Sequence, residues 1–282
     1  MTPLVDAAWL AAHLTDTRVR IADVRWYLGG KRGADEYARG HLPGAVFVDL
    51  ERDLAAPPDR GPGRHPLPSP ADFAAVLARL GVEQDTLVVA YDDAGGAIAA
   101  RLWWLLRRFG HGGGRVLDGG LGAWIAAGHA LSTEVPTVAP AALLPSAGLR
   151  PDAGVVDKAA VDRLRALPGV ALLDARATDR FEGRSEPVDA RAGHIPGARS
   201  APFTGNLVAP GGAFRPADEL TARFHTLGAM EAETVVCYCG SGVTACHDLL
   251  ALAIAGRDDA LLYEGSWSDW ARDPALPIAT GS

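Results

Sequence analysis

The chain has 282 residues, 48% of them hydrophobic and 22% charged, with a formal net charge of −7. That is ordinary globular composition, and at about 100–200 residues per domain it is long enough for two packed domains. The acidic balance argues against a general binder of nucleic acid or of anionic membranes, and the three Cys are too few and too odd in number for a disulfide framework.

All three cysteines fall between Cys237 and Cys246, and free thiols point to a reducing compartment. The start, Met1 to Asp6, lacks a basic targeting region. No membrane-spanning run is present: the most apolar stretch, Ala97 to Leu106, is broken by Arg101 and closed by Arg107-Arg108. A cytoplasmic protein is expected.

In chain order, a first apolar run carries Ile21-Ala22-Asp23-Val24-Arg25, followed by Glu36-Tyr37 and then Gly40-His41-Leu42-Pro43-Gly44-Ala45. Pro70–Leu80 has a helical pattern, and Leu87–Asp92 is a β-branched run of the kind that forms a buried strand. A small-residue loop and an apolar helix follow, then Val116-Leu117-Asp118-Gly119-Gly120 and Trp124. Ser132 to Ala153, rich in Pro, Ala and Ser, reads as an irregular linker.

The series then recurs. Lys158–Leu167 is helical in pattern, and Leu172-Leu173-Asp174-Ala175-Arg176, Arg180-Phe181 and Gly193-His194-Ile195-Pro196-Gly197-Ala198 follow in the earlier order. Thr234–Cys239 parallels Leu87–Asp92, and Leu262-Tyr263-Glu264-Gly265-Ser266-Trp267 parallels the segment around Asp118. Four matches in one order imply a duplicated unit. Alternating strands and helices predict an α/β fold of two domains, 1–131 and 154–282, joined by a linker at 132–153. Each is an open parallel sheet with helices on both faces.

The copies differ at one loop. Cys239 is the first residue after its strand, and ligands of open parallel sheets sit beyond the carboxyl ends of strands. Gly240-Ser241-Gly242-Val243-Thr244 follows, then a helical pattern from Ala245. Two glycines let the backbone curl and turn N–H groups inward, a nest that holds an anion at a helix N-terminus. The Cys239 thiolate, the reactive form of the thiol, is such an anion. This chemistry requires no metal or organic cofactor. In the other copy Asp92 stands in place of Cys239, so that copy keeps the fold without the nucleophile.

Other chemistries fit less well. A cysteine phosphatase would need Arg where the chain has Ala245. Cys237 and Cys239 are separated by a single residue, which is not zinc-ligand spacing. His41 and His194 occur in both copies and are expected to shape turns. The recurring tryptophans, Trp103-Trp104, Trp124, Trp267 and Trp270, are expected in packing.

These segments resemble the two-domain rhodaneses, or sulfurtransferases, over nearly the whole chain. Cys239 to Thr244 looks like the loop of the 3-mercaptopyruvate subclass; thiosulfate-using members carry Arg and Lys where this chain has Gly240 and Ser241. The resemblance implies that Cys239 is the nucleophile and that Gly240, Gly242, Val243 and Thr244 line the donor site. It implies that Arg180 is a lone cation holding the donor carboxylate. It further implies a proton relay of Ser241, His65 and Glu51, with His65 and Glu51 coming from the first domain. The family's second donor-binding Arg falls on Asp189. Arg191 and Arg184 are the nearby substitutes, neither in register.

The expected activity is transfer of sulfane sulfur from 3-mercaptopyruvate through a Cys239 persulfide to a thiol, thioredoxin-like or cyanide acceptor, releasing pyruvate. Two alternatives stay open: thiosulfate as the donor, and a rhodanese-like binding module without turnover.

Overall fold

A computed structural model describes residues 2–144 and 154–282. Met1 and the later part of the expected linker, residues 145–153, lie outside the described residues.

Among the described residues, ten strands form two sheets of five. The first holds β1 (Leu4–Val5), β2 (Val19–Asp23), β3 (Ala45–Phe47), β4 (Leu87–Tyr91) and β5 (Gly114–Leu117). The second holds β6 (Val155–Val156), β7 (Val170–Asp174), β8 (Ala198–Ser200), β9 (Thr234–Tyr238) and β10 (Leu261–Tyr263). Their orders, β1-β5-β4-β2-β3 and β6-β10-β9-β7-β8, are the same order written twice. Every strand pair is parallel. β4 and β9 are the middle strands and are buried from Val88 to Tyr91 and from Val235 to Tyr238, as apolar runs covered on both faces must be. Each lies where the strand order reverses, so the loop leaving its carboxyl end opens at the sheet's switch point.

The helices obey their local signals. Pro70–Arg79 has Pro70 in its first turn, a Ser69 cap that accepts from Asp72 N at 3.1 Å, and buried Phe73 and Leu77. Lys158–Leu164 stops three residues before the predicted end at Leu167. Pro168 disfavours helical backbone at the residue before it, and Leu167 N turns back onto the Leu164 carbonyl at 2.9 Å instead. Ala245–Ile254 is mostly apolar, and its residues 245–252 are buried, the polar His247 and Asp248 included.

The repeated signatures build one fixed corner in each sheet. Arg25 Nη2 donates to Asp23 at 2.6 Å and to the Gly40 carbonyl at 2.8 Å; Arg176 Nη2 does the same to Asp174 at 2.6 Å and Gly193 at 2.7 Å. The arginine of each strand end thus clamps the start of its Gly-His-x-Pro-Gly-Ala turn. Burial acts against the Arg176 charge, but Asp174 outweighs it and raises the guanidinium pKa further. His41 stacks on Tyr37 and His194 on Phe181, with centroids 3.9 and 3.7 Å apart, and each Nδ1 meets that residue's carbonyl at 2.8 Å. Both histidines are parts of a turn.

The described chain packs as two units. The first comprises residues 2–56, 68–144 and 207–214; the second comprises 57–67, 154–206 and 215–282. Residues 57–67, which the sequence reading gives to the first domain, therefore pack with the second unit. Leu67 N donates there to Glu264 Oε2 at 3.2 Å.

Candidate active site

Cys239 leaves the carboxyl end of β9 and is 2% exposed. Its carbonyl accepts from Trp267 N at 2.9 Å, and its N–H donates to Ser266 Oγ at 3.1 Å. The Ser266 hydroxyl in turn donates to the Tyr263 carbonyl at 2.9 Å. Ser266, at φ +53, is the one non-glycine residue with positive φ among those described. The matching residue of the first unit is Gly120, at φ +52. The second unit thus keeps a strained backbone with a side chain on it, and the hydroxyl so gained fixes the residue that carries the thiol. The sequence pairing of Gly120 with Ser266 was the available signal for this residue.

The loop after Cys239 is pinned from the same side. Gly242 has φ +76, and a Cβ there would lie 2.5 Å from the Glu264 carbonyl oxygen, so only glycine fits. Val243 is buried and accepts from Cys246 N at 3.0 Å; Thr244 precedes the helix Ala245–Ile254 without a side-chain capping hydrogen bond.

The first unit displays the corresponding loop, one residue longer, with an anion built in. Asp92, in the place of Cys239, accepts from the N–H groups of Ala94, Gly96, Ile98 and Ala99 at 2.8–2.9 Å. The strand end is therefore an anion nest with a built-in carboxylate. In the second unit, the N–H groups of Gly240, Ser241, Val243 and Thr244 have no acceptor among the described residues, Cys239 Sγ included. A thiol sulfur is one bond from Cβ, whereas the Asp92 oxygens are two.

Ser241 Oγ lies 2.8 Å from His65 Nδ1, both side chains in the second unit. His65 is held by its neighbours: Arg64 N donates to Ser268 Oγ at 3.1 Å, and Leu67 N to Glu264. Glu51 belongs to the first unit, is exposed on the helix Leu50–Asp53, and accepts from Trp26 Nε1 at 3.3 Å.

Arg180 comes to the loop: a Cβ on Gly240 would lie 3.5 Å from its Nη1. It is not the lone cation expected. The same point lies 2.9 Å from Arg64 Nη2. Asp189 pairs with both guanidiniums, Arg180 Nη2 at 3.0 Å and Arg64 Nη1. Glu186 pairs with Arg180 at 2.7 Å and Arg176 at 3.2 Å. Burial pushes the Glu186 carboxyl up, but its Arg180 hydrogen bond and the N–H groups of Asp189 and Val188 hold it below the usual range.

Sequence reasoning overlooked Arg64, although it adjoins His65. Arg191 goes elsewhere, its guanidinium donating to the carbonyls of Trp270, Ala271, Asp273 and Leu276. Arg184 is on the surface, paired with Asp179 and Glu182. Neither substitutes at the loop. Cys237 is fully buried, and burial pushes its thiol well up, which suits packing and not reaction. Cys246 Sγ donates to the Gly242 carbonyl at 3.4 Å. No helix of the described residues is long and apolar enough to cross a membrane.

Known proteins are similar to this chain in sequence and fold. The rhodanese-like domain matches residues 6–127 and again 157–273. A probable 3-mercaptopyruvate sulfurtransferase of Pseudomonas aeruginosa is 48% identical, over 99% of this chain and 98% of its own. A putative thiosulfate sulfurtransferase of Mycobacterium tuberculosis, SseB, is 42% identical over 99% of this chain and 97% of its own. The crystal structure of the 3-mercaptopyruvate enzyme SseA from Escherichia coli superposes with a TM-score of 0.82 at 36% identity, covering 95% of this chain and all of that one. Two matches to one domain model, on two copies of one sheet order, mean that the chain belongs to the rhodanese family as a tandem of two rhodanese-like domains.

Proposed function

We propose that the protein transfers sulfane sulfur from 3-mercaptopyruvate through a persulfide on Cys239, releasing pyruvate. The Cys239 thiolate attacks the donor sulfur. The S–S bond forms as the donor's C–S bond breaks, and the bonding pair leaves on carbon as the pyruvate enolate, which takes up a proton. A thiolate acceptor, such as a small thiol or a thioredoxin-like protein, then attacks the outer sulfur and returns Cys239 as thiolate.

The observation that carries the choice of donor is the Ser241–His65 hydrogen bond, two residues beyond Cys239. Cleavage of a carbon–sulfur bond leaves a strongly basic carbon that needs a proton. Loss of sulfite from thiosulfate leaves a weak base that needs none. A hydroxyl–imidazole pair beside the nucleophile serves the first reaction and is idle in the second.

The Asp92 loop supports the persulfide. Its oxygens are two bonds from Cβ and meet four N–H groups. The outer sulfur of a persulfide on Cys239 is also two bonds from Cβ, the depth at which such a nest grips an anion. We take 1–131 and 154–282 as the domains, with 132–153 between them, and the cytoplasm as the compartment that keeps the three free thiols reduced.

The test is donor comparison on paired variants. Cys239→Ser abolishes pyruvate release. His65→Asn and Ser241→Ala lower kcat with 3-mercaptopyruvate by about 100-fold, the usual worth of general acid catalysis, and leave thiosulfate turnover within about threefold. Equal losses with both donors, or a wild-type preference for thiosulfate, would overturn the assignment.

A further inference from the structure

We propose that Arg64 is the second donor-binding cation of this enzyme, and that Asp189 is a positioning residue holding Arg64 and Arg180 as one two-guanidinium seat for the donor carboxylate. The inference rests on the sulfurtransferase reading above and deepens it.

The loop itself carries no charge from Cys239 to Thr244. Its cations are brought from two distant segments of the second unit. Arg180 lies in the short helix Thr178–Phe181, and Arg64 lies in the 57–67 segment beside His65. Two different guanidinium nitrogens, Arg64 Nη2 and Arg180 Nη1, come within 3.5 Å of one point, the Cβ position of Gly240. That point is on the residue next to the nucleophile. A glycine leaves the space open.

The remaining nitrogens face away and are already used. Arg180 gives Nε and Nη2 to Glu186, and Nη2 also to Asp189. Arg64 gives Nη1 to Asp189. Asp189 therefore grips each arginine by its outer edge and turns the inner edge toward the loop. Neither inner nitrogen has a hydrogen-bond partner among the described residues. The Arg64 side chain is 26% exposed and that of Asp189 6% exposed, so the bridging carboxylate is buried while the cation can be reached. Two like charges this near each other are stable only with a counter-ion between them. Asp189 supplies one, and a donor carboxylate on the inner edges supplies a second.

The test measures kcat and KM for 3-mercaptopyruvate, sulfur gained by Cys239 by mass spectrometry, and competitive inhibition by pyruvate, a carboxylate that carries no sulfur to transfer. Arg64→Gln raises KM and the pyruvate Ki together by about 10- to 100-fold, the loss of one charge-assisted hydrogen-bond pair, with kcat within about threefold. Arg64→Lys keeps the charge and raises both less. Asp189→Asn raises KM without lowering kcat, a split that loss of folded protein does not produce. A thermal melt of each variant identifies misfolding, and if Arg64→Gln does not fold, Arg64→Lys carries the test. KM and Ki within about twofold of wild type in the folded Arg64 variant, or a fall in kcat alone, overturn the proposal. Failure of the donor reading is separate: wild-type Cys239 would gain no sulfur from 3-mercaptopyruvate.

Discussion

Replacing Gly242 by Ala probes how tightly the loop after Cys239 is set. Two costs combine. At φ +76 the residue is left-handed, which costs an L-residue about 1–2 kcal/mol. The new Cβ also lies 2.5 Å from the Glu264 carbonyl oxygen, so the loop and the 264–268 segment must part by roughly half an ångström or more, a strain of about 1–3 kcal/mol. Gly256, at φ +91 with nothing within 4 Å of its Cβ position, carries only the first cost. The pair therefore separates conformation from collision.

The 264–268 segment also holds Cys239 and Gly240, through Trp267 N and Ser268 N at 2.9 Å. Displacing it moves the nucleophile, and misplacement on the order of 1 Å costs about 100-fold in rate. Chemical denaturation should rank Gly242→Ala below Gly256→Ala by about 1–3 kcal/mol. Persulfide formation should fall by about 10- to 100-fold in the first and stay at the wild-type rate in the second. Equal destabilisation of the two, with sulfur uptake intact in Gly242→Ala, would refute the claim that the loop is rigidly braced.

Two further outcomes come from buried groups. Burial pushes the Asp248 carboxyl up to about 7, against the Asn206 hydrogen bond of 2.7 Å and the Arg223 charge. The folded protein thus holds a proton that the unfolded chain releases near pH 4, so stability falls as pH rises from about 4 to about 7 and is level above that window. The span corresponds to about 4 kcal/mol at ~1.4 kcal/mol per pH unit. Denaturation curves of Asp248→Asn should lack this slope, and a parallel slope in variant and wild type would contradict it. Ser266→Ala keeps the positive φ and leaves the buried Cys239 N–H without its acceptor, costing about 1–3 kcal/mol. Ser266→Gly loses the same bond but relieves the backbone, and should melt above Ser266→Ala; the reverse order would deny the strain.

Much was legible in the chain itself. Duplication, the parallel α/β class and the strand ends at Asp92 and Cys239 come from apolar periodicity and repeated turn signatures, which are local in sequence. Ser241 and Arg180 were legible through the family resemblance that those signatures carry. The helix Lys158–Leu164 was overextended because apolar spacing ran on to Leu167, while the decisive residue was Pro168.

Tertiary structure decided which groups meet at the loop; of these meetings, the family resemblance had implied only that of His65 with Ser241. The 57–67 segment packs with the second unit, so His65 reaches Ser241 and Arg64 reaches Asp189 across more than a hundred residues of sequence. No period or motif encodes such a meeting, because it depends on where a loop between elements is drawn. Arg191 has the nearer sequence position, yet the carbonyls of 270–276 claim its guanidinium. The sequence determined that a thiol stands at the end of a middle strand in one copy of a repeat. The packing decided which charges and which proton carrier surround it, because those contacts form only when distant segments close on the same loop.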